Sequence, residues 1–95
     1  FCVNSTVTSN QDRIDVTGND LFYGVIVTST DNDTVNLTTS WEANGSTHNR
    51  IDLNGSTQGG IAGDYIEVTD MATDKWLVWG ITQATGTEIT PFEAV

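Results

Sequence analysis

From Gly63 to Gly80 the chain alternates apolar and polar residues twice, on either side of a short segment bounded by aspartates. Ile66 and Val68 alternate with Glu67 and Thr69, and Trp76 and Val78 alternate with Leu77 and Trp79. A period of two sends successive side chains to opposite faces of a strand, so this pattern predicts a β-hairpin turning through Asp70-Met-Ala-Thr-Asp74. By parity, Ile66, Val68, Trp76 and Val78 are expected to share one buried face. Leu77, Trp79 and Ile81 make the opposite face of the second strand apolar as well. A strand apolar on both faces is ordinarily covered on both. In so small a domain, one cover is expected to be a partner subunit, with Leu77, Trp79 and Ile81 as the candidate interface.

The remainder of the 95 residues reads the same way. No run carries a 3.6-residue apolar stripe, and Val, Ile, Thr, Tyr and Trp fill the semi-apolar positions, as a half-buried pleated surface requires. Strands are expected near residues 2–8, 13–17, 22–29, 34–40, 50–53, 64–69, 75–82 and 86–90. Turn signals separate them at Gly18-Asn-Asp20, Asp31-Asn-Asp33, Asn44-Gly45, Asn54-Gly55 and Gly59-Gly60. The only proline, Pro91, falls near the end, where it interrupts no central ladder. The expected fold is therefore all-β: one small domain over 1–95, an antiparallel sandwich, barrel or β-roll of about eight short strands. A domain of this length buries only about 60–65% of its unfolded surface, so it is expected to draw part of its stability from a partner subunit, a larger parent chain or a surface.

A short echo runs through the chain. Arg13-Ile-Asp-Val-Thr-Gly18 matches Arg50-Ile-Asp-Leu-Asn-Gly55, and each is followed by a tyrosine-led strand, at Tyr23 and at Tyr65. Two related units near 13–40 and 50–82 would produce this, and so would chance recurrence in a chain rich in Thr and Asp.

Charge narrows the function classes. Thirteen Asp and Glu against three Lys and Arg give a net charge of −10. Nucleic-acid binding needs a basic surface, and anionic membranes attract one, so neither partner is expected. No run approaches the ~18 apolar residues of a membrane-spanning helix. The first residue is Phe1, not Met, as expected of a processed chain or of one whose leading residues lie outside it.

No residue pattern carries catalysis, a cofactor or a metal. His48 is the only histidine, in Asn44-Gly-Ser-Thr-His-Asn49, and is read as an exposed loop residue without a partnered nucleophile. Asp31-Asn-Asp33 opens like a calcium loop, but Asn36 stands where an EF-hand needs Gly, so a side-chain-capped turn is expected. Cys2 is the only cysteine and is read as a small apolar residue at a strand start. Asn-x-Ser/Thr sequons occur at Asn4, Asn32, Asn36, Asn44 and Asn54, five where chance gives about two. Trp41, read as exposed, and the sequons motivate one alternative, an extracellular carbohydrate-binding or adhesive module.

The chain also resembles small β-rich structural proteins of tailed bacteriophages. The resemblance rests on Ile51-Asp-Leu-Asn-Gly55, Gly63-Asp-Tyr-Ile-Glu-Val68, Trp76-Leu-Val-Trp-Gly80 and Gly86-Thr-Glu-Ile-Thr-Pro-Phe92, with Tyr23-Gly-Val-Ile-Val27 and Thr34-Val-Asn-Leu37 upstream. It covers about residues 21–92 and departs in the extra residues between Leu37 and Ile51. What it implies is a non-enzymatic virion component on the capsid surface. The expected role is a capsid decoration (cement) protein stabilising the head shell, with a phage fibre domain as the alternative. Its partner would be the major capsid protein or another virion protein. A homo-oligomer is expected, with a trimer preferred.

Overall fold

The computed structural model describes residues 1–30 and 37–95. The expected Asp31–Asp33 turn, the sequons at Asn32 and Asn36, and the start of the strand expected over 34–40 lie outside these residues. Seven strands are present among those described: β1 (Asp12–Asp15), β2 (Leu21–Thr30), β3 (Thr38–Asn44), β4 (Arg50–Leu53), β5 (Tyr65–Ala72), β6 (Lys75–Ala84) and β7 (Phe92–Glu93). They form a three-stranded sheet in the order β1-β4-β7 and a four-stranded sheet in the order β3-β2-β6-β5. The all-β fold expected from the alternation is the fold observed, but the expectation of wholly antiparallel pairing is corrected: the larger sheet is mixed.

One core joins the two sheets. Phe22, Ile26, Ile66 and Val78 come from the larger sheet, Ile51, Leu53 and Phe92 from the smaller one, and all are at most 2% exposed. Phe22 and Phe92 meet across the layers with ring centroids 6.4 Å apart, tilted at 53°. Val68, Trp76, Trp41 and Ile14 are partly buried and pack against this cluster.

The centre of the larger sheet is a parallel pair, with Phe22 opposite Trp76 and Ile26 opposite Gly80. β3 flanks β2 and β5 flanks β6, both antiparallel. Two antiparallel pairs thus lie side by side with their inner strands parallel, and the chain between them supplies the crossover through β4 in the other sheet. Gly24 makes the close approach possible. Its φ is +117°, and a Cβ there would overlap the Val78 carbonyl oxygen, so only glycine fits.

Three local expectations are corrected. The hairpin loop expected over Asp70–Asp74 is tighter: β5 runs on to Ala72 and turns at Thr73-Asp74, with a register shift between Asp70 and Ala72. Asp74 takes φ +60°, which aspartate tolerates better than most residues. Residues 2–8 form no strand. Instead Phe1 exchanges backbone hydrogen bonds with Ile66, and Val3 with Gly63 and Asp64, leaving one bridge, Cys2 to Tyr65. Residues 86–90 form no strand either. Thr85 and Ile89 donate to the carbonyls of Ser56 and Thr57, so this segment is tied to a turn rather than to a ladder, and pairing resumes only at Phe92.

The echoed Arg-Ile-Asp segments are direct neighbours. β1 and β4 pair antiparallel with Arg13 opposite Asp52, Ile14 opposite Ile51 and Asp15 opposite Arg50. The following tyrosine-led strands do not continue that local two-fold relation, since β2 is central in its sheet and β5 is at an edge.

Candidate interaction surface

β6 alternates without a break. Trp76, Val78, Gly80, Thr82 and Ala84 turn inward, while Lys75, Leu77, Trp79, Ile81 and Gln83 are exposed. Ile66 and Val78 are each 1% exposed, and Val68 and Trp76 are half-buried against the same cluster. The Trp76 indole Nε1–H donates to Asp20 Oδ2 at 2.9 Å, which satisfies the polar tip of a largely apolar ring. The opposite face is open: Leu77 is 43% exposed, Trp79 49% and Ile81 56%.

Register extends this face across all four strands, because residues directly opposite one another project to the same side of a sheet. Tyr23 lies beside Leu77, Val25 beside Trp79 and Val27 beside Ile81. On the β5 side, Thr69, Glu67 and Tyr65 flank the same three β6 residues. On the β3 side, Asn44, Glu42 and Ser40 flank Tyr23, Val25 and Val27. The result is an apolar stripe two strands wide, with polar columns outside it. One row reads Glu42, Val25, Trp79, Glu67 from edge to edge. The Tyr65 hydroxyl donates to Glu67 Oε2 at 2.9 Å. That bond to a carboxylate, with the carboxylate's charge, raises the phenol above its ordinary value of 10.0. The Lys75 ammonium lies 5.5 Å from the Tyr23 ring centroid at one end of the stripe.

The three tryptophans do not form a platform. Trp41, expected on the surface, is half-buried and packs on the core beside Ala43, because it shares the inward parity of its strand. Trp79 alone faces outward. His48, expected to be an exposed loop residue, is half-buried. Its ring stacks on Phe92 at 5.7 Å and 10°, and Nδ1 accepts the Asn44 backbone N–H at 3.1 Å. It closes a turn. Cys2, read as a small apolar strand residue, is exposed.

The sequons at Asn44 and Asn54 are turn chemistry. Asn44 Oδ1 accepts the backbone N–H of Ser46, Thr47 and His48, and its Nδ2 donates to Thr47 Oγ1 at 2.6 Å. Asn54 does the same for Ser56 and Gln58, with Nδ2 on Thr57 Oγ1 at 2.8 Å. Both carboxamides stand in for backbone partners that a tight Asn-Gly-Ser-Thr turn leaves unmet.

Two buried carboxylates escape a reading based on hydropathy. Asp52 is 1% exposed and accepts from Arg13 Nε at 2.7 Å. Asp64 is also 1% exposed. Its Oδ2 accepts the N–H of Gly60 at 2.9 Å and of Ile61 at 3.1 Å, and its Oδ1 accepts the N–H of Gln83 at 2.9 Å. Asp64 therefore pins the glycine loop to β6. The detectable signal is an aspartate at the mouth of a Gly-rich turn, in Gly59-Gly-Ile-Ala-Gly-Asp64.

Among the described residues, no group of three or more His, Cys, Asp or Glu side chains is arranged to hold a metal ion, and no helix is long and apolar enough to cross a membrane. An open hollow of about 550 Å³ lies between Asp20 and the Asp70–Asp74 turn, with Asp20 already engaged by Trp76. No family model, curated protein or solved structure matches the chain.

Proposed function

We propose that this chain is a non-catalytic structural module of a virion, a capsid decoration (cement) protein that stabilises the head shell from its outer surface. The observation that carries an association role is the exposed stripe of Leu77, Trp79 and Ile81 beside Tyr23, Val25 and Val27. Contiguous apolar surface of this kind marks a place where another molecule sits. The virion setting is supported by the resemblance of residues 21–92 to tailed-phage structural proteins. The partner on this reading is the major capsid protein or another virion protein, and a fibre domain would use the same face. Mass spectrometry of gradient-purified particles tests the reading. Stoichiometric recovery with intact particles is the expected result, and recovery only from the particle-free fraction overturns it.

One observation favours a second reading, a carbohydrate-binding module. Trp79 stands exposed beside Glu67, which also holds the Tyr65 hydroxyl, and a sugar ring stacks on an exposed indole with its hydroxyls on a carboxylate. The aliphatic neighbours Leu77, Ile81, Val25 and Val27 offer no hydrogen bonds to such a ligand, which places this reading second. A glycan array discriminates the two.

A further inference from the structure

The stripe's border says what can cover it. Glu42 and Glu67 occupy the two edge strands in the row of Val25 and Trp79. Three strand spacings separate them, about 14 Å. Both are exposed, and apolar side chains fill the space between. Lys75 lies at the end of the stripe over the Tyr23 ring, away from either glutamate's row, and the Phe1 ammonium is held on the Ile66 backbone carbonyl at the outer edge of β5.

We propose that this face binds an apolar segment of a different protein that carries Lys or Arg along both flanks, and that it does not bind a second copy of this chain. The proposal rests on the docking role argued above and specifies the partner's chemistry. If two copies laid stripe on stripe with strands aligned, the outer columns of one would lie over the outer columns of the other. Glutamates would then face glutamates on both sides, in a chain already at net charge −10. Like charges brought together across a drying interface oppose association. A partner with basic flanks reverses the sign at both borders while its apolar centre covers Trp79. The self-association through Leu77, Trp79 and Ile81 expected from the sequence is disfavoured by the same two carboxylates. An amphipathic helix, ~10–12 Å across with its side chains, fits between them.

The probe is a synthetic amphipathic helical peptide of Leu and Lys, titrated into the full chain and followed by fluorescence anisotropy of a label on the peptide. Glu42→Gln/Glu67→Gln keeps the shape of the face and removes its border charge. Asp12→Asn/Asp74→Asn removes the same charge from exposed positions elsewhere. The expected result is binding weakened about tenfold by the glutamate pair and at least as much by Trp79→Ser, with the aspartate pair changing it by less than about twofold. A Leu/Glu peptide is expected not to bind, and the unmodified chain to sediment without dimerising through this face. Equal loss in the glutamate and aspartate pairs overturns the proposal, as does no binding of the Leu/Lys peptide. A dimer abolished by Trp79→Ser overturns it too. Circular dichroism of each variant separates lost binding from lost fold. Because the assay needs no virion, its failure with the chain still present on particles removes only the partner assignment. Peptide binding by a chain absent from particles removes only the virion reading.

Discussion

Arg13 and Asp52 face each other across β1 and β4 with Nε and Oδ1 2.7 Å apart, and Arg50 and Asp15 repeat the bond at the same distance with the strands exchanged. The Arg-Ile-Asp echo is therefore a mutual clasp. Each copy's arginine holds the other copy's aspartate, and Ile14 and Ile51 lie opposite each other between the two pairs.

Equal length does not mean equal energy: Arg50 holds Asp15 through two hydrogen bonds, and Arg13 holds Asp52 through one, with its Nη2 on Gln11. The Asp52 side chain is 2% exposed and that of Asp15 44%. Arg13→Met strands a buried carboxylate and is expected to cost about 3 kcal/mol. Asp15→Asn loosens a solvent-screened pair and should cost under about 1 kcal/mol. Urea denaturation of the two variants checks this, and equal costs would show that burial is not what separates the pairs.

The clasp also sets a pH dependence. The Arg50 guanidinium hydrogen-bonded to Asp15 holds its carboxyl below the ordinary aspartate value of 3.8. A carboxyl depressed in the folded state stabilises that state above its unfolded value, and the contribution is lost as pH falls through the lower, folded value. The pair should therefore contribute fully near neutrality and fade below about pH 4. NMR titration of the Asp15 carboxyl should give a midpoint under 3.8 that returns toward it in Arg50→Gln; a midpoint indifferent to Arg50 contradicts the assignment.

Asp64 should be among the least replaceable polar residues. Asp64→Ala removes the acceptor for the N–H groups of Gly60, Ile61 and Gln83, and is expected to cost about 2–4 kcal/mol, the penalty of leaving buried donors unmet. Asp64→Asn sets an amide donor against one of those N–H groups and should recover only part of it. Thermal unfolding of both variants is the check. Full stability in Asp64→Asn would mean that charge is irrelevant to the loop.

Trp76 and Trp79, three residues apart on β6, should respond in opposite ways. Trp76→Ala opens the core beside Val68 and strands Asp20, and is expected to cost about 3 kcal/mol. For a domain of this size that lowers the melting temperature by more than about 10 °C. Trp79→Asp changes a side chain that is 49% exposed and should leave the transition nearly where it is.

Side-chain parity was the most legible feature of the chain. Alternation alone separates the inward Ile66, Val68, Trp76 and Val78 from the outward Leu77, Trp79 and Ile81, because a strand has only two faces. Pairing was not legible. Nothing local in Phe22–Thr28 or Trp76–Thr82 says that these strands run parallel, since that depends on a crossover through β4. The Arg-Ile-Asp repeat was visible, but its meaning was not: a repeat reads as two similar units until one knows that its copies touch. Asp52 and Asp64 were missed because hydropathy treats a carboxylate as surface, whereas here an arginine and three backbone N–H groups supply what water otherwise would. Trp41 was misplaced because β3 runs to Asn44 rather than ending near residue 40, which puts the indole inside a strand with inward parity.

On the proposed function, the outward face of β6 joins this chain to a larger particle. The decisive comparison is the amount of chain recovered with virions after gradient purification, for the unmodified protein and for Trp79→Asp. The unmodified chain is expected to co-purify with particles, and Trp79→Asp, folded and with its melting transition intact, to stay behind in the soluble fraction. Recovery of Trp79→Asp with particles at the unmodified level would contradict that role.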